Sequence, residues 1–246
     1  MNRNFVLYLL WSVFNSNHFI KPLNVTQHYE KNRNLNKIDN FIKKLSEQIV
    51  SEETTNLYFG NSIESEIRRE NLRLYLNKMI EIKPTKLLLG EAPGYKGCGI
   101  TGIAFSSERV LTENEFYKDQ GFKCINKHPK LESEISATIV WNELGNYPNK
   151  PLIWNIFPFH PHTKTDKRAN RTPNKVELEI GTRYLTELLK IYEIDKIIAL
   201  GRKPESKIKY FGYDYVYVRH PANGGKNKFV SGIKTELKSL LSDKRK

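Results

Sequence analysis

Four short apolar runs, each followed at once by polar or glycine-rich residues, constrain this chain more than anything else in it. They are Lys86–Leu89 (KLLL), Leu152–Ile156 (LIWNI), Lys196–Leu200 (KIIAL) and Tyr215–Val218 (YVYV). Runs this short and this uniformly apolar read as strands buried on both faces. Helical patterns lie near residues 132–144, 176–192, 203–210 and 226–242. In the clearest of them Val176, Ile180, Tyr184, Leu188 and Tyr192 recur at helical spacing. Strands alternating with helices predict a three-layer α/β/α fold with a central four-stranded parallel sheet.

Upstream, Ile38, Phe41, Ile42, Leu45 and Ile49 fall on one helical face. Ser62 is placed to cap a second helix, with Glu64 and Glu66 in the first turn as the helix dipole prefers. That helix should stop before Pro84. Residues 15–34 are polar and aperiodic and read as a linker. The expected organisation is therefore a partly flexible N-terminal extension over residues 1–34 and one domain over residues 35–246. The apolar run Phe5–Phe14 (FVLYLLWSVF) is too short to span a bilayer and is followed by no clear small-x-small cleavage site. An extra packing segment or a start-site artefact is expected there rather than a secretory signal.

The chain carries 40 Lys and Arg against 27 Asp and Glu, a formal charge of +13. An excess of this size favours a polyanionic partner, because each cation set against a phosphate releases a counterion. The two cysteines, Cys98 and Cys124, supply neither a disulfide framework nor a four-thiolate cluster, so a cytoplasmic compartment is the default. No membrane association and a monomeric state are expected.

The unusual residues gather after the predicted strands: GEAPG at Gly90–Gly94, Asn155 with FPFHPH, LGRKPE, and RHPANGGK. In an open parallel sheet ligands bind outside the carboxyl ends of the strands, so these segments should converge on one rim. The first loop holds Gly90, Gly94, Gly97, Gly99 and Gly102 but matches neither a Walker A loop nor a dinucleotide fingerprint. His128, His160 and His162 offer two histidines at i and i+2 without a third ligand at a diagnostic spacing, so no metal site is expected. The stretch after them, with Lys164, Lys167, Arg168, Arg171 and Lys175 against Asp166, reads as a basic loop facing nucleic acid.

GEAPGYKGCGITGIAFSSE, then PLIWNIFPFHPH, then VRHPANGGK resembles the uracil-DNA glycosylase superfamily, in particular bacterial members with a GEAPG first motif and an HPA second motif. The resemblance spans Lys86 to Lys228 and implies a DNA glycosylase, an enzyme that extrudes a base from DNA and hydrolyses its bond to the sugar. By that resemblance Phe105 stacks on the flipped base, replacing the stacking lost from the duplex. Asn155 reads the base edge with an amide that both accepts and donates. Ala92 and Tyr95 would wall the base pocket. His220 would stabilise negative charge on the departing base through an N–H, without transferring a proton. Glu91 would orient the attacking water or stabilise an oxocarbenium-like sugar; the competing reading is that it pins the loop through backbone N–H groups. Ala92, the residue after it, cannot hold water. Arg219, Asn223, Gly224 and Lys226, with Lys164, Arg168 and Arg171, would contact phosphate.

No lysine stands where the motifs would need an amine nucleophile, so a monofunctional enzyme leaving an abasic site is expected. Iron–sulfur relatives share GEAPG, but the cysteines for a cluster are lacking and no cofactor is expected. Relatives run GCRxTGxPFTSE where this chain has GCGITGIAFSSE. Gly99, Ala104 and Ser106 thus replace larger residues, which would suit a larger base beside Phe105. Two substrates follow: uracil, the superfamily's default in base excision repair, and a bulky modified cytosine (hydroxymethylated or glucosylated) in phage DNA, whose excision would be antiviral. A non-catalytic nucleic-acid-binding protein on the same fold is the third reading. Lys226, Asn227 and Phe229 are candidates for a residue wedged into the duplex.

Overall fold

The computed structural model describes residues 23–127, 129–209 and 211–241. The apolar run Phe5–Phe14 and His128 lie outside them. The chain divides into two compact units, Met1–Asn34 and Leu35–Lys246, and the second carries the sheet.

Its centre is a four-stranded sheet of β2 (Lys86–Gly90), β3 (Leu152–Asn155), β5 (Lys196–Leu200) and β6 (Tyr215–Val218), ordered β3-β2-β5-β6. All neighbours are parallel. The apolar runs became strands because both faces are covered: Leu87, Leu88, Leu89, Ile153, Ile197 and Ile198 are all buried. A second, two-stranded antiparallel sheet pairs β1 (Thr54–Thr55) with β4 (His160–Pro161).

Helices α1 (Leu23–Glu47) and α2 (Ile63–Ile82) precede the first long strand, with β1 between them. Two short helices, α3 (Cys98–Thr101) and α4 (Glu108–Glu113), and then α5 (Ile135–Leu144) connect β2 to β3. Helix α6 (Lys175–Leu188) leads to β5, α7 (Arg202–Ile208) to β6, and α8 (Lys226–Glu236) follows with a 3-10 turn at Lys238–Leu241. Ser62 does cap α2, accepting from the Ser65 amide at 3.2 Å, and the helix ends at Ile82. The four-strand, helix-covered architecture is the one expected from the alternating pattern.

Three local expectations fail. Residues 23–34, read as linker, are the first part of α1. Ile49 lies beyond the end of α1 and is 81% exposed. Val176 is 64% exposed, although Tyr184, Leu188 and Tyr192 of the same predicted face are buried and Ile180 packs against the core. The cause is chemical. Asn174 and Glu177 form a capping box and Glu177 pairs with Arg171, so the first turn of the helix buries Glu177 in place of its neighbour Val176.

Candidate active site

The strand order sets where a ligand can go. From β2 the chain moves to β3 on one side, and from β5 to β6 on the other, so a crevice opens at the carboxyl ends between β2 and β5. A cavity of about 710 Å³ lies there, and its lining includes Glu91, Ala92, Phe105, Asn155, Lys203 and His220. The four predicted loop segments do meet on one rim.

Gly90 ends β2 beside Asn155, its register partner on β3. A Cβ on Gly90 would collide with both the Phe105 ring and Asn155 Oδ1. Only glycine lets those two side chains converge here. Phe105 itself has φ of 49°, a left-handed conformation that costs a non-glycine residue about 1–3 kcal/mol. Its carbonyl is fixed by the Trp141 indole N–H at 2.9 Å, and Trp141 is buried. The scaffold thus holds Phe105 in a strained pose with its ring at the cavity. Asn155 is buried, and its side chain makes no hydrogen bond among the described residues. Its polar atoms are not sealed in the core but face the cavity, where the amide is available to a ligand.

His220 sits 5.6 Å from Phe105, ring centre to ring centre. Its Nδ1 accepts the Ala222 amide N–H at 3.2 Å. A neutral ring so engaged carries its proton on Nε2, which makes Nε2–H a preset donor. Burial, and then the neighbouring Arg219 cation, hold the imidazole below its usual pKa. The ring is therefore neutral near pH 7.

The Glu91 carboxylate does not pin its loop. Its Oε1 is buried without a hydrogen bond, and the nearest cation is Lys203 Nζ at 3.5 Å. Lys203 also donates to the Thr172 hydroxyl. Sequence reasoning missed Lys203, because it reaches the cavity from the first turn of α7 and not from a motif. It is a lysine at the site, with its amine engaged by Glu91 and Thr172. Glu134, before α5, is a second cavity residue that was missed.

Several predicted residues are placed elsewhere. Tyr95 is not among the cavity-lining residues. It packs against His160, with the Arg168 guanidinium 5.4 Å above its ring, and its amide donates to Asn170. Arg171 touches the cavity, but all five of its N–H donors are spent. They go to the carbonyls of His162, Thr172 and Glu53 and to both oxygens of Glu177, leaving none for a phosphate. Phe229 is fully buried and cannot wedge into a duplex. Gly99, Ala104 and Ser106 do not line the cavity, and Ser106 bonds the Ile103 carbonyl at 2.7 Å behind the loop.

His160 and His162 have structural partners. The His160 ring nitrogens face the Pro93 and Lys167 carbonyls at 2.9 and 3.0 Å. Those of His162 meet the Thr163 carbonyl and the Thr55 hydroxyl at 2.8 and 3.0 Å. These bonds tie the basic loop to the GEAPG loop and to β1. Arg219 and Asn223 line the cavity mouth, with one Arg219 N–H on the Asn223 carbonyl at 3.3 Å. Gly224, Lys226, Lys164 and Arg168 are exposed. Among the described residues no helix is long and apolar enough to cross a membrane.

The comparisons with known proteins agree with this geometry. The family model of the uracil DNA glycosylase superfamily matches residues 77–239. The crystal structure of wild-type SMUG2 from Pedobacter heparinus has a similar fold, with a TM-score of 0.62 at 20% identity, covering 84% of this chain and 97% of that one. No curated protein matches the sequence. The family match takes in GEAPG, Phe105, Asn155 and RHPA together, and the chain belongs to the uracil DNA glycosylase superfamily.

Proposed function

We propose that this protein is a monofunctional DNA glycosylase. The observation that carries the reading is the convergence of a strained Phe105, an unpartnered Asn155 amide and a preset His220 donor on one cavity. The extruded base stacks on Phe105, meets Asn155 along its edge and Ala92 at its side, and directs its oxygen to His220. The C1′–N bond breaks with its electron pair leaving on the base, and Nε2–H of His220 stabilises that charge. Water supplies the hydroxyl that C1′ gains and the proton the base takes up. Glu91, anchored by Lys203 at its buried Oε1, orients that water through Oε2 and offsets charge on the oxocarbenium-like sugar.

Arg219, Asn223, Gly224, Lys226, Lys164 and Arg168 form the phosphate-facing surface in this reading, without Arg171. Uracil is the default base. A bulky modified cytosine is the second reading: the crevice is open rather than closed around one base, and it carries a further polar side chain, Glu134, besides those that would serve uracil.

Asn155→Ala separates a glycosylase from a non-catalytic binder. Excision should fall at least 100-fold, on the order of the loss of a buried polar contact used in recognition. Affinity for duplex DNA, set by phosphate contacts, should stay within about two-fold. Unchanged excision in this variant would remove Asn155 from the mechanism.

A further inference from the structure

Two carboxylates line the cavity, and they are held differently. Glu91 has Lys203 beside it. The Glu134 carboxylate has no hydrogen bond or ion pair among the described residues, although it is partly buried and reaches the cavity. Burial pushes its carboxyl up to about 7. Its position is built. Glu108, fully buried, accepts from the Asn126 amide at 2.7 Å and the Glu132 amide at 3.0 Å, and the Arg109 amide bonds the Glu132 carbonyl at 3.2 Å. These contacts fix the segment that delivers Glu134. The receiving loop makes room for it at Gly97, where a Cβ would overlap Glu134 Oε2.

A crevice carboxylate to which the protein gives no donor is hydrated when the site is empty and takes its donor from a ligand that displaces that water. Phosphate is excluded as the partner, being an anion. Asn155 stands at Gly90 and Glu134 at Gly97, beside the Ser106 carbonyl that follows Phe105. A ligand that reaches both therefore carries a second polar group besides the base edge met by Asn155. A hydroxyl fits best, since it both donates and accepts and so pairs with a carboxyl in either protonation state.

We propose that Glu134 is a specificity-determining residue that hydrogen-bonds a hydroxyl group carried by a substituent on the extruded base. This rests on the glycosylase reading and names the class of base for it. The test compares duplexes carrying a single 5-hydroxymethylcytosine, 5-methylcytosine, cytosine or uracil, by binding affinity and by excision. Wild-type protein, Glu134→Ala and Glu134→Gln are used, with thermal melts to certify folding.

The expected result is about ten-fold tighter binding of 5-hydroxymethylcytosine than of 5-methylcytosine by wild type, the scale of a hydrogen bond to a charged group. Glu134→Ala should abolish that preference and leave the uracil duplex unaffected, while Glu134→Gln keeps part of it. Three outcomes would overturn the proposal: no preference in wild type, a preference that survives Glu134→Ala, or an equal loss on all four duplexes, which would make Glu134 a loop support. A preference for cytosine over uracil that ignores the hydroxyl and disappears in Glu134→Ala would also overturn it, in favour of the exocyclic amine. Hydroxyl discrimination in binding without abasic sites on any duplex would leave this proposal standing and sink the glycosylase reading alone.

Discussion

His220→Ala should lower the excision rate about 10²–10³-fold while leaving DNA affinity within a few-fold of wild type. That is the usual cost of removing one preorganised donor from a developing anion. The donor is preset: Nδ1 is occupied by the Ala222 N–H, so the neutral ring presents Nε2–H to the cavity. The pH dependence follows from the same contact. Burial and Arg219 lower the imidazole pKa from 6.5, so the ring stays neutral through pH 7, and the acid loss of rate due to His220 should begin only below 6.5. There a proton on Nδ1 displaces the Ala222 hydrogen bond. That acid limb should vanish in His220→Ala and persist in Glu134→Gln. Steady-state rates between pH 5 and 8 on the three proteins check both statements. A His220→Ala enzyme of normal rate would refute the electrostatic role.

The second large effect is on stability. Arg171→Ala should destabilise the fold by about 3 kcal/mol, the low end for breaking a buried ion pair, since Arg171 retains 21% exposure while Glu177 has 5%. The loss comes mainly from what is left behind: a buried Glu177 carboxylate that keeps only Thr54 and the Asn174 amide as donors. Burial alone would raise the Glu177 pKa; the Arg171, Thr54 and Asn174 bonds outweigh it and hold it below 4.5. A depressed carboxylate stabilises the fold above its unfolded pKa and loses that contribution as pH falls through the folded value. The difference between wild type and Arg171→Ala should therefore be full at pH 7 and shrink below about 4.5. Urea unfolding at pH 7 and pH 4 measures it. If Arg171→Ala instead kept its stability and lost DNA affinity, Arg171 would be a phosphate contact after all.

What the sequence made legible were features with a short range. Strands β2, β3 and β5 showed as brief apolar runs because both faces of the sheet are covered there, the half-buried edge strand β6 showed by its Tyr and Val alternation, and their loops then had to share a rim. Gly90, Phe105, Asn155 and His220 sit within a few residues of strand ends or in one glycine-rich loop, so motif and position agreed. What stayed hidden was pairing across the chain. Arg171 looked like one more cation in a basic loop, since its partners Glu53 and His162 come from the β1–β4 corner and Glu177 from α6. That same pair put Glu177 inside in the first turn of α6, where Val176 is exposed. Glu134 stands in a polar stretch with nothing to mark it; only the packing of Glu108 against residues 126–132 carries it to Gly97. Tyr95 failed for the opposite reason, since an aromatic next to a motif found His160 and Arg168 before it found the cavity.

The central claim, that this site removes a base from DNA, is tested most directly by incubating the protein with uracil-containing, unmodified and phage-modified (hydroxymethylated or glucosylated) DNA and then cleaving with alkali. The account predicts alkali-dependent strand scission on the uracil-containing or the modified DNA, none on unmodified DNA, and none without alkali. Intact strands on all three after alkali would contradict it.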